Sequence, residues 1–188
     1  MAIGVREVKK HLQEMSEEEL QEELLKLYKK FPIVKEYYQQ ELSQDGGGLI
    51  GDYKKKIRQH YFPTGRSVKR PRAAKTRELL SRFRKLSPFP YDVADLLLYQ
   101  SETMVEFSAS KGTSGNRGYI SGGFNSTLIS RYKEALQLIV AEGLQQDFMP
   151  RLQQLLKDAR FMRWGTYDGL LELYIQHINK RPEVIGVE

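Results

Sequence analysis

Asp92, Asp95, Glu102 and Glu106 recur at spacings of three, seven and four. On a helix this sets all four carboxylates, with Tyr99 among them, on one face. Two chemistries fit such a stripe: divalent-metal binding, or electrostatic pairing with cations on a neighbouring element. The helical di-metal pattern needs Glu-x-x-His pairs on partner helices. His11, His60 and His177 each lack a glutamate three residues before them. A metal-dependent enzyme would need Glu102 and Glu106 to converge with a third ligand. The stripe is therefore read as structural, paired with Arg77, Arg84 or other bases. Neither a metal nor a cofactor is implied.

Just upstream lies the opposite character. Tyr53 to Lys85 carries thirteen Lys and Arg against one acid, Glu78, a net +12; the rest of the chain, with 17 bases and 23 acids, sums to −6. One segment thus holds all of the excess behind the overall +6. Clustered cations neutralise phosphates and release counterions, which is the main source of non-specific nucleic-acid affinity. The candidate nucleic-acid-binding residues are Lys54, Lys55, Arg58, Arg66, Lys69, Arg70, Arg72 and Lys75. Tyr53, Tyr61, Phe62 and Phe83 are interleaved with them and offer rings for base stacking. Lys69-Arg70-Pro71-Arg72 also resembles minor-groove arms. The competing reading has this charge facing the acidic helix or simply solvated.

Other motifs carry little chemistry. Gly112, Gly115 and Gly118 are evenly spaced, but phosphate loops follow a strand and end in Lys-Ser or Lys-Thr, and this stretch does neither. Gly-x-Ser-x-Gly is absent, so no serine nucleophile is marked. His60 and His177 read as partly buried amphipathic residues. Trp164, beside Gly165 and Tyr167, reads as a plug between helices.

The elements that must position these residues are helices throughout. Val8 and Leu12 mark a first short helix, beginning near Val5. Ser16-Glu17-Glu18-Glu19 has the form of a capping box, and Leu20, Leu24, Leu27 and Phe31 follow at helical spacing to Phe31. Pro32 suits the first position of the next helix, whose buried side is expected to be Val34, Tyr37, Tyr38 and Leu42. Asp45-Gly46-Gly47-Gly48 is expected to be a loop. Tyr53, Ile57 and Tyr61 mark a helix of about 50–61, and Leu79, Leu80, Phe83 and Leu86 the basic helix of about 72–86. Ser87-Pro88-Phe89-Pro90 forces a break. The acidic helix, about 91–110, has a core row of Val93, Leu97, Met104 and Phe107, widened by Leu96. Helices are expected at about 124–141 (Leu128, Tyr132, Ala135, Leu136, Ile139), 148–161 (Leu152, Leu155, Leu156) and 166–178 (Leu170, Leu173, Tyr174), with Gly143 as a helix end.

No stretch alternates with period two, so the fold class is all-α: a single domain over 1–188 of about eight helices, neighbours pairing antiparallel across short connections. Flexible glycine-rich loops are expected at 44–48 and 111–123, and a tail at 179–188. A chain of 188 residues can bury a real core, while 40% apolar and 29% charged content suits helices with wide solvated faces. The absence of cysteine rules out disulfides and thiolate chemistry and fits a reducing compartment, so the cytoplasm is expected. No apolar run reaches the ~18 residues of a membrane span, and Met1 to Glu14 lacks a signal-peptide core. No membrane partner is expected.

Three tracts carry a family likeness: EVKKHLQEMSEEELQEELLKLYKKFPIVKEYY, YKKKIRQHYFP and VADLLLYQSETMVEF, with fainter continuation near Phe124 and in RWGTYDGLLELY. The chain resembles a bacterial family known only as a domain of unknown function, number six-one-five-five. The resemblance covers most of the chain. It implies a bacterial, soluble, helical protein and supplies no substrate. Sequences of this type usually carry an acidic or polar turn after the long helix; here the longer KGTSGNRGYISGG stands there. The functional expectation is a non-enzymatic interaction protein whose basic face meets RNA, DNA or another acidic partner. The alternative is a protein-binding adaptor or small oligomer that uses the charges to hold its own helices together.

Overall fold

The computed structural model describes residues 4–42, 47–63, 71, 73–87, 89–112, 122–162 and 165–178. Of the expected loops 44–48 and 111–123, residues 44–46 and 113–121 lie outside them, as do the bases Arg66, Lys69, Arg70 and Arg72, Trp164 and the tail 179–188; residues 47–48, 111–112 and 122–123 are helical instead. All regular structure among the described residues is helical: α1 Val5–Gln13, α2 Glu17–Lys30, α3 Pro32–Leu42, α4 Gly47–Tyr61, α5 Ala73–Leu86, α6 Pro90–Gly112, α7 Gly122–Ala141, α8 Gln145–Asp158 and α9 Thr166–Ile178, with a 3-10 turn at Ala159–Phe161. The all-α reading stands. Two compact units are distinguishable within it, Met1–Leu49 and Ile50–Glu188.

The first unit contains α1 to α3. Ser16 caps α2 as its sequence predicts: the Glu19 amide donates to Ser16 Oγ at 3.2 Å and the Ser16 amide to Glu19 Oε2 at 2.8 Å. Pro32 is the first residue of α3, where its missing N–H loses nothing. Tyr28 of α2 meets Tyr38 of α3 edge to face at 6.3 Å. The periodic faces nevertheless stay open. No residue of α2 is buried, and Val8, Leu12, Leu24, Leu25, Phe31, Tyr37 and Leu42 are all exposed. Correct helical spacing places these side chains on one side without supplying anything to cover them.

The second unit is built around α6. Val93, Ala94, Leu96, Leu97 and Leu98 are buried in succession, followed by Met104, Val105 and Phe107. Side chains buried in such succession need cover on more than one side of the helix, and α5, α7 and α8 all pack on it. The single core row expected from the sequence is therefore too narrow. α7 packs also on α9, where Gly169 permits close approach: a Cβ there would lie 3.3 Å from Ile129 Cδ1. Gly143 closes α7 at φ +69°. The Leu144 amide returns to the Ile139 carbonyl at 2.8 Å and the Gly143 amide to Val140 at 3.2 Å, the pairing of a left-handed helix cap.

Helix direction follows from side-chain partners. Tyr53 packs on Phe83 at 5.0 Å, while Tyr61 lies near Thr76, so the neighbours α4 and α5 run antiparallel. Lys54 meets Asp95 and Tyr61 meets Phe107, so α4 and α6 run in the same direction. α4 starts at Gly47, three residues before the expected position. α8 also starts three residues early, which leaves Pro150 inside the helix, where it cannot donate to the Gln146 carbonyl.

Candidate functional site

The acidic stripe of α6 is matched by cations from two other helices. Asp95, 9% exposed, accepts from Lys54 Nζ of α4 at 2.6 Å on Oδ2 and from Arg151 Nη1 of α8 at 2.6 Å on Oδ1. Arg151 also forks onto Glu102, donating through Nε and Nη2 at 2.8 Å each. One turn further, Arg58 of α4 donates through Nη1 and Nη2 to the two oxygens of Glu106 at 2.6 and 2.7 Å. Two-point guanidinium–carboxylate bonds are the geometrically selective kind. Aromatic rings back the cations: Lys54 lies 5.5 Å from the Tyr99 ring, Arg58 4.9 Å from Phe62 and Arg151 5.7 Å from Phe148. Asp92, at the first turn of α6 where the helix dipole favours an acid, accepts from Ser87 Oγ at 3.4 Å.

The electrostatics follow this geometry. Burial disfavours the Arg151 guanidinium, but its hydrogen bonds and charge contacts with Glu102 and Asp95 outweigh that and hold it firmly protonated. The bond to Glu106 likewise raises the Arg58 pKa. In return Arg58 holds the Glu106 carboxyl below its ordinary range. Both oxygens of Glu102, and both of Glu106, accept from a guanidinium, which leaves them poorly placed to ligate a metal. Among the described residues no three His, Asp or Glu side chains group closely enough to hold a metal ion. The stripe ties α4, α6 and α8 together.

Its partners differ in part from those expected. Lys54 and Arg58 belong to the basic block, but Arg77 and Arg84 do not serve the stripe. Arg84 Nη2 bonds Glu134 Oε1 of α7 at 2.6 Å, and Glu134 also accepts from Arg131. Arg151 escaped notice because it lies some fifty residues beyond the stripe. The sequence signal was its isolation, as the one base from Gln145 to Leu156, beside the buried Leu152.

Of the candidate nucleic-acid residues, Lys54 and Arg58 are thus engaged with carboxylates, and Lys55 and Lys75 are exposed. The proposed stacking rings are not a platform. Tyr53, Tyr61 and Phe83 are buried, and Phe62 is half-buried against Phe107 at 5.8 Å. The outer arc of α5 remains basic: Lys75, Arg77, Arg82, Arg84 and Lys85 are exposed with one acid, Glu78, among them. The inner arc, Thr76, Leu80, Phe83 and Leu86, is buried.

Buried polar groups form a second feature of α6. Gln100 Nε2 donates to Tyr61 Oη at 3.2 Å, while Gln100 Oε1 and, on α7, Tyr132 Oη lack hydrogen-bond partners among the described residues. Burial pushes the Tyr61 phenol above its ordinary pKa, and Tyr132 further still. His60 and His177 are half-buried, as expected, and His177 Nδ1 contacts the Leu173 carbonyl at 2.9 Å. Among the described residues no helix is long and apolar enough to cross a membrane.

No curated protein and no solved structure matches the chain. One family model does, over residues 3–174. That span takes in the helices carrying the charge cluster and the basic arc, and the chain belongs to this family, described as a family of unknown function (DUF6155).

Proposed function

We propose that this is a non-catalytic interaction protein whose α5 helix presents a basic surface to a polyanionic partner, with RNA or DNA as the partner class. The observation that carries the reading is the one-sided charge of α5: five exposed bases, of which Arg84 also pairs with Glu134, and a single acid on an arc backed by the core. A helix held on its apolar side against α6 offers its cations at fixed spacing, which suits phosphate neutralisation. The engaged pair Lys54 and Arg58 belongs to the scaffold in this reading, and Lys55 and Lys75 belong to the binding surface. Arg66, Lys69, Arg70 and Arg72, which precede α5 in the sequence, are assigned to the same partner by their charge alone.

The test is fluorescence anisotropy with a labelled single-stranded RNA and a DNA duplex while salt is stepped from low to physiological. Binding that weakens steeply with salt is expected. In the variant K75E/R77E/K85E the affinity should fall and the salt slope should flatten by roughly three. A K69E/R70E/R72E variant reports separately on the basic segment before α5. Undetectable binding of both nucleic acids at low salt would sink the reading.

A further inference from the structure

We propose that a second copy of this chain docks on the exposed groove between α2 and α3, with the two α2 helices crossing antiparallel near Leu24 and Leu25. This inference is independent of the basic surface on α5. The groove has a volume of about 700 Å³ and is lined by Leu24, Leu25 and Tyr28 of α2 with Tyr38 and Leu42 of α3. Leu24 is 47% exposed, Leu25 56% and Leu42 76%. Contiguous apolar surface of this kind marks an interaction site.

Charge along α2 selects the occupant. From Glu17 to Glu23 the helix holds five glutamates and no base; from Lys26 to Lys30 it holds three lysines and no acid. An antiparallel partner of the same sequence sets acidic half against basic half, and the two-fold axis repeats each contact. Glu18 and Glu22 of one copy then flank Lys29 and Lys26 of the other, on either side of the leucines. A parallel arrangement would set like charge on like. Beside Leu25, Glu22, Lys26 and Lys29 line an adjoining concavity, so the charged rim borders the apolar strip directly. The Lys26–Glu23 bond within α2, at 3.0 Å, is an exposed pair and is weak enough to exchange partners.

Sedimentation velocity on the full chain over a wide concentration range tests the proposal. Wild type should form a dimer, and L24E/L25E should be monomeric with unchanged helical circular dichroism. Two charge variants keep the test decisive if that one unfolds. E18K/E22K leaves only lysines among positions 18, 22, 26 and 29 beside the leucines, and K26E/K29E leaves only glutamates there. Each alone should self-associate roughly tenfold more weakly than wild type, and an equimolar mixture should recover the dimer. A wild type that stays monomeric at every concentration overturns the proposal, whatever else covers the groove. So does a dimer that survives both charge variants unchanged. Neither result bears on nucleic-acid binding by α5.

Discussion

Arg151 and Asp95 stand 2.6 Å apart across 56 residues of chain. The same guanidinium holds Glu102, so one side chain of α8 spans two turns of α6. Removing it leaves Glu102 without its cation and Asp95 with Lys54 alone. Losing one partner of a buried pair costs about 3–5 kcal/mol; the Arg151 side chain is 34% exposed, so water compensates in part. R151A should therefore lose about 2 kcal/mol in urea unfolding, and R151K, which cannot fork, should recover only part of it.

The Arg58–Glu106 bond should be visible in acid. The folded-state pKa of Glu106 is lowered. Its contribution is therefore complete above the unfolded value near 4.5 and is lost as pH falls through the lower folded value. Both side chains are about half exposed, which limits the effect to about 1 kcal/mol or less. Thermal melts of wild type and E106Q should differ at pH 7, and the difference should shrink as pH falls below 4.5.

Tyr61 and Tyr132 should respond in opposite ways to loss of their hydroxyls. Y61F removes the acceptor of Gln100 Nε2 inside the core and should cost about 1–3 kcal/mol. Y132F removes a buried hydroxyl without a hydrogen-bond partner among the described residues and should be neutral or stabilising. Both phenols have raised pKa values in the fold. Their stability contribution is complete below the unfolded value of 10 and falls as pH rises past it. Y132F should therefore unfold less readily than wild type in alkali, as read by circular dichroism.

Burial separates the two units in a mutational series. F83A, at a ring with 0% exposure, should cost about 3–5 kcal/mol. L42S, at a side chain 76% exposed, should shift stability by no more than about 0.5 kcal/mol. Denaturant midpoints of the purified variants measure both.

Gly143 should resist substitution for a backbone reason. Nothing lies within 4 Å of a Cβ built there, so packing is not at issue. Its φ of +69° is left-handed and costs an L side chain roughly 1–2 kcal/mol. G143A should lower the melting temperature accordingly, and G143N should lose less.

Where neighbouring residues decide the outcome, the sequence was legible. Leu80, Phe83 and Leu86, or Leu128, Tyr132 and Leu136, are buried because a helical period sets them on one side of their own element. The same period was silent on whether a partner element arrives. Leu20 and Leu24 are spaced as regularly as Leu152 and Leu156, yet Leu24 is exposed and Leu156 is buried. At the charge cluster, the face shared by Asp95, Glu102 and Glu106 was readable from spacing. Arg151 was not, because the pairing depends on how α8 lies against α6, a relation no local pattern encodes. The aromatic residues of α4 and α5 were misread for the same reason: their alternation with bases is what any helix shows when one side is packed and the other is wet.

The position of Arg151 late in the chain has a consequence for synthesis on the ribosome. Glu102 emerges 49 residues before Arg151, the cation that pairs with it, an interval of about 2–10 s at ordinary elongation rates. At the start of that interval the leucines at 96 to 98 have neither α7 nor α8 to lie against. The nascent chain thus carries uncovered apolar surface on α6 until α7 arrives, the kind of surface that makes incomplete chains prone to aggregation. The tie that Arg151 makes between α8 and α6 can close only once α8 has emerged, and a chain cut before α8 would keep Glu102 without that partner.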